Sequence, residues 1–131
     1  MFQCLRRSPK RTVVRFLEAM NARDFEMVEL LLADDFCLID NTGNILKGRE
    51  DCLAVLSGFA KAAPDYTIIS YSLVERGNDI LISGQVQGNG TEIGNSAQWR
   101  ASADRSRMHK WQSYGYGRSI SMIAELHQAD S

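Results

Sequence analysis

A chain of 131 residues, 44% hydrophobic and 24% charged, has the size and composition of one globular domain with its own core. Its net charge of −1, with acids and bases interleaved, leaves no basic footprint for nucleic acid, and no stretch reaches the ~20 apolar residues of a membrane span. Three cysteines, Cys4, Cys37 and Cys52, are odd in number, match no metal-ligand spacing and suit thiols in a reducing cytoplasm.

Residues 1–10 read as an N-terminal extension. The opening MFQCLRRS has no apolar signal-peptide segment. The basic run Arg6, Arg7, Lys10, Arg11 and Arg15 is either a solvated helix start, the preferred reading, or a phosphate patch. Ser8 followed by Pro9 starts a helix, a hydroxyl cap before a proline at the first helical position. Val13, Phe16, Leu17 and Met20 then recur at helical spacing. Residues 21–24 break that helix, and Asp24 caps a second with the stripe Phe25, Val28, Leu31 and Leu32. Asp34 and Asp35 are expected to end it, since acids at a helix C-terminus oppose the macrodipole.

Residues 36–40 read as a strand, 41–44 as a turn and 45–47 as a short return strand. Gly48 opens a third helix with Cys52, Val55, Leu56 and Phe59 inward, closed by Pro64. The period then changes to two. Residues 66–75 are β-rich, 76–79 make a hairpin turn, and Ile80, Ile82 and Val86 alternate with polar neighbours. Residues 88–94 form a loop, Ala97, Trp99, Ala101 and Ala103 alternate on one face, and a last strand runs from Arg107 to about Tyr116. Residues 118–131 are a tail, with Ile120, Ile123 and Leu126 at the spacing of a short helix.

Helices first and a meander afterwards is an α+β pattern. The predicted architecture is a cone: a curved antiparallel sheet, a cystatin-like roll, packed on three N-terminal helices. Gly84, Ala97, Ala101 and Ser113 favour curvature and empty space inside it.

The run FLEAMNARDFEMVELLLADDFCLID, with its helix, N-A-x-D break, helix, A-D-D, strand order, resembles the opening of the nuclear transport factor 2-like superfamily. That group includes ketosteroid isomerases and SnoaL-like polyketide cyclases. Residues 47–50 before the third helix and the run HKWQSYGY fit the same pattern, so the likeness spans residues 11–117, taken as the domain. The resemblance places Asp40 where the isomerases carry a general base; the alternative from the residues themselves is an aspartate capping the turn after it. It also exposes departures. Phe16 stands at the tyrosine position of the oxyanion hole, and the protonated acid falls near Ala97. Residues 113–117 hold no carboxylate where the cyclases carry one, and no Asp-Arg-Asp set of the limonene-epoxide-hydrolase kind can be assembled.

His109 shares alternation parity with Trp111 and Ser113 and is expected either inside the cone, as a proton shuttle, or exposed beside its turn. Trp99 and Trp111 form an aromatic wall or fill the core. The candidate ligand pocket is Phe16, Ile82, Ala97, Trp99, Trp111 and Ser113; the candidate catalytic pair is Asp40 and His109. Cys52 reads as core. No glycine-rich phosphate loop or nucleophile elbow is present, so no cofactor or metal is implied. Tyr66, Tyr71, Tyr114 and Tyr116, with Gln98, Arg100 and Gln112, are expected on the outer sheet face, through which the resemblance implies a homodimer. Two functions stay open: a cofactor-independent isomerase, cyclase or dehydratase acting on a small apolar carbonyl compound, or a non-catalytic ligand-binding or dimerisation module. A purely structural dimer with a plugged cone is a weaker third.

Overall fold

The computed structural model describes residues 8–88 and 96–114. Helix α1 (Pro9–Ala22) starts as the cap chemistry requires: the Ser8 side chain accepts the Arg11 N–H at 3.1 Å. Its inner stripe is the predicted one, extended by Thr12, whose hydroxyl donates to the Asp104 carbonyl at 2.8 Å. Arg23 ends α1 in the left-handed region, and Asp24 caps α2 (Phe25–Leu31) by accepting the Met27 N–H.

The exit from α2 differs from expectation. Leu32 is already extended, and Asp34 and Asp35 lie inside β1 (Leu32–Ile39) instead of closing a helix. In an extended chain the two acids reach cations rather than the carbonyl end of a helix: Asp34 meets Arg49 at 3.6 Å and Asp35 meets His109 at 2.8 Å. Strand β2 (Ile45–Lys47) returns antiparallel to β1. Gly48, at φ +105°, donates its N–H to the Phe36 carbonyl and starts α3 (Arg49–Ala62), with Glu50 and Asp51 in the first turn, where the dipole favours acids.

Strands β3 (Thr67–Arg76), β4 (Asp79–Gln87), β5 (Ser96–Ala103) and β6 (Met108–Tyr114) form the meander. The sheet order is β2-β1-β6-β5-β4-β3. Every pairing is antiparallel except β1 with β6, so the expected antiparallel sheet is mixed at this one seam. A parallel pair needs a long connection, and here α3 and four strands provide it.

Three register breaks bend the sheet: in β3 between Ser70 and Ser72, at the β5–β6 end between Ser102 and Ala103, and in β1 between Leu32 and Cys37. Gly84 sits opposite the first of them, where a Cβ would overlap the Ile69 carbonyl oxygen. The helices lie in the concave face, and Phe16, Phe36, Leu56, Ile80, Ile82 and Met108 form the fully buried centre. The predicted tail helix, Tyr116 and most of the 88–94 loop fall outside the described residues.

Candidate functional site

Where the C-terminal halves of α1 and α3 meet the start of β3, the cone keeps a partly enclosed hollow of about 20 Å³. That is room for about one water molecule. Phe16 and Met20 from α1, Leu56 and Phe59 from α3, Tyr66 and Trp111 form its walls.

Two polar side chains also reach it, and both are committed to backbone. The Asn21 amide donates to the Ile68 carbonyl at 2.8 Å and accepts the Ile68 N–H at 2.9 Å. The Arg23 guanidinium donates to the carbonyls of Met20, Ala63, Pro64 and Tyr66 at 2.7–3.1 Å. The break in the helical pattern is therefore also a clip that ties the end of α1 to the α3–β3 connection.

Tyr66 was expected on the outer sheet face; it lies inward. It precedes β3 and meets the Phe59 ring edge-on at 4.8 Å between centroids. Burial pushes its phenol pKa up to about 12, so near neutral pH the group is a hydrogen-bond donor and not a base.

Of the predicted pocket residues, Phe16 and Trp111 line the hollow. Trp111 lies 5.3 Å from Phe16 and stacks on Trp99 at 5.9 Å between centroids. Ile82, paired across from Trp99, is fully buried, whereas Ala97 and Ser113 are half-buried at neighbouring register positions. The two indoles fill the middle of the cone.

Asp40 lies just past the end of β1, 4% exposed, on the parity of Phe36 and Leu38. Its Oδ1 accepts from the Thr42 N–H, the Thr42 hydroxyl and the Asn44 N–H at 2.8–2.9 Å, and its Oδ2 accepts from the Asn44 amide at 3.0 Å. This is the turn-capping geometry of an Asx residue.

His109 lies away from the hollow. From Met108 to Lys110, β6 advances two residues while β5 advances one, from Ala103 back to Ser102. His109 is the extra residue, so Met108 and Trp111 both point inward and the ring leaves their parity. It sits between Asp35 and Asp104, with Nδ1 2.8 Å from Asp35 Oδ1 and Nε2 2.7 Å from Asp104 Oδ2.

Cys52 is core, as read: its thiol donates to the Leu46 carbonyl, and burial pushes its pKa up to about 11. The outer face of β3–β6 exposes Tyr71, Val74, Leu81 and Tyr114, and Arg100 pairs with Asp79 at 2.9 Å. Among the described residues no helix is long and apolar enough to cross a membrane, and no cluster of three or more His, Cys, Asp or Glu side chains could hold a metal.

Phe59 and Leu56 were legible as a helix stripe, though not as pocket walls. Asn21, Arg23 and Tyr66 carried no local signal of their role, because their partners lie up to 47 residues away.

The family model for the SnoaL-like domain matches residues 13–110. A comparison with curated proteins finds none that matches. Among solved structures, the fold is similar to an NTF2-like protein of unknown function from Cytophaga hutchinsonii, with TM-score 0.70, 18% identity, and 86% of this chain and 94% of that one covered. An LEH-like epoxide hydrolase from M. tuberculosis is similar at TM-score 0.71, 17% identity, 82% and 78% coverage. A cystatin fold protein from Novosphingobium aromaticivorans is similar at TM-score 0.69, 17% identity, 81% and 97% coverage.

Proposed function

The chain belongs to the SnoaL-like domain family, and from that premise we propose that it is a binding domain for one small, mostly apolar molecule, seated in the hollow between α1, α3 and β3. The observation that carries this reading is the lining. It is aromatic and aliphatic, its Asn21 and Arg23 are held by backbone groups, and its Tyr66 carries a phenol that burial keeps protonated, a donor near neutral pH. A ligand with one acceptor, a carbonyl or a hydroxyl, matches that lining. Because the hollow admits only about one water, occupancy requires the Phe59–Tyr66 contact to open. Asp40 and His109 belong to this reading as structural residues: neither lines the hollow.

The test is binding of a panel of small alicyclic and aromatic ketones and alcohols, followed by calorimetry and by chemical shifts of Phe59 and Tyr66. Ala60, a buried residue of the lining, is the place to block the site. Ala60→Leu is expected to abolish binding. Binding unchanged in that variant refutes the site.

A second reading, proton abstraction by Asp40, is favoured by one observation: a carboxylate 4% exposed at the inner end of β1. It requires turnover that disappears in Asp40→Asn while binding persists. The exposed Tyr71, Val74, Leu81 and Tyr114 further support a homodimer through the outer sheet face, in which Val74→Lys is expected to give monomers in sedimentation.

A further inference from the structure

The parallel seam between β1 and β6 is interrupted. From Leu32 to Cys37 β1 advances five residues, while β6 advances only two, from Met108 to Lys110. The residue of β6 that faces this gap is His109, which is also the extra residue against β5. Residues 33–36 have no register partner on β6, and the His109 ring spans this gap, from Asp35 on the bulged part of β1 to Asp104 in the β5–β6 turn.

Both ring nitrogens approach carboxylate oxygens at 2.7–2.8 Å. An ionised carboxylate only accepts, and a neutral imidazole carries one N–H. With a neutral ring, one of the two contacts would set a lone pair against an oxygen. The geometry is satisfied when both nitrogens carry protons. Asp104 is fixed in its accepting role from the other side, since its Oδ1 takes the N–H groups of Ser106 and Arg107 at 2.8 and 2.7 Å.

We propose that His109, held as an imidazolium between Asp35 and Asp104, is a charge-operated clasp that closes the bulged segment of β1 onto β6 and releases it when the ring loses its proton. The charged neighbours are few. Asp35 comes from β1, and Asp34 beside it turns to Arg49. The β5–β6 turn offers Asp104 and Arg107, whose guanidinium donates to the Leu32 carbonyl at 3.4 Å. Lys110 follows on β6 opposite Cys37; β5 offers Ser102 and Ala103, and α1 offers Thr12.

The hydrogen bond to Asp104, then that to Asp35, raises the ring's pKa above its ordinary value against a desolvation cost. The folded state thus holds a proton that the unfolded chain gives up first. The clasp contributes fully below about 6.5, the unfolded value, and its contribution is lost as pH rises through the folded value. The Asp35 arm, on a side chain 75% exposed, is the one free to swing away. This inference stands whether or not the cone binds a ligand.

The experiment uses the full chain with His127→Gln, which leaves one histidine. Long-range nitrogen–proton NMR of the imidazole is followed from pH 5 to 9, together with urea unfolding across the same range. The expected result is a ring that keeps both nitrogens protonated above about pH 6.5, the ordinary value, a urea midpoint that declines as pH rises through the ring's own titration, and faster amide exchange of residues 33–36 on the same limb. His109→Gln is expected to flatten that limb, and Asp35→Asn to move the ring's titration back toward that of an ordinary imidazole. A ring that titrates at or below about 6.5, or a pH profile unchanged in His109→Gln, overturns the proposal.

Discussion

The side-chain amide of Asn21 pairs with both backbone groups of Ile68, N–H at 2.9 Å and carbonyl at 2.8 Å, as a neighbouring strand would. Strand β3 is an outer strand of the sheet, and this is how its first turn of backbone is satisfied on the helix side. Two residues on, Arg23 gathers four carbonyls, one from the end of α1 and three from the α3–β3 connection. Together they place Tyr66 and Ile68 against α1, and so define the mouth of the cone.

Asn21→Ala is expected to lower stability by about 2–3 kcal/mol, since it strands a half-buried donor and acceptor at once. Urea unfolding measures the loss. Amide exchange at Ile68 should rise well before global unfolding, because the N–H loses its acceptor. Asn21→Asp is the sharper comparison: it keeps the acceptor and removes the donor, so the Ile68 N–H stays protected.

Gly84→Ala is expected to cost at least about 2 kcal/mol, well above the cost of a methyl in open space. The obstacle is the Ile69 backbone carbonyl, not a side chain that can rotate away. Relief requires β3 to move off β4 at the Ser70–Ser72 irregularity. Thermal melts of the variant and fluorescence of Trp99, which lies one strand over, read both the loss and its location.

The legible parts of the fold are those with local chemistry. Ser8 with Pro9 and Asp24 announce helix starts within three residues of the groups they cap, and the two-residue alternation of β4 and β5 marks their inner faces. What failed was longer in reach. The start of β1 at Leu32 is set by pairing with Met108, 76 residues later, so the acids after it looked like a helix stop. The parity of His109 was lost to one extra residue against β5, a slip that period-two counting cannot detect. Trp99 and Trp111 share the inner face as their parity implied, and the Asp40 turn could be read from Asp, Thr and Asn within five residues. The clip made by Asn21 and Arg23 could not.

Asp40→Asn tests the turn as well as the chemistry. The three donors on Oδ1 can still be accepted by an amide oxygen, but the nitrogen replacing Oδ2 would face the Asn44 amide nitrogen, donor against donor. The expected loss is about 1 kcal/mol, rising to about 2–3 kcal/mol in Asp40→Ala, where the Oδ1 donors lose their acceptor too. Chemical denaturation of both variants checks the order. Equal losses would mean that the turn holds without its carboxylate.

Asp104 sets the acid limb of stability. The hydrogen bond from His109, with the N–H groups of Ser106 and Arg107, holds its carboxyl well below the usual carboxylate range. A group whose pKa falls on folding contributes stability that is present above its unfolded value, about 3.9, and is lost as pH falls through the folded value. The wild-type chain should therefore lose stability steeply on acidification below about pH 4. Asp104→Asn should start lower at pH 7, having given up its charge-assisted bonds, yet decline less over the same acid interval. The two curves of unfolding free energy against pH should converge toward low pH. Parallel curves would mean that the protonation lost on folding resides elsewhere. The convergence also separates this group from His109: removing the ring flattens the limb over which the ring titrates, whereas removing the carboxylate alters both limbs, because the hydrogen bond to Asp104 does most to keep the ring protonated.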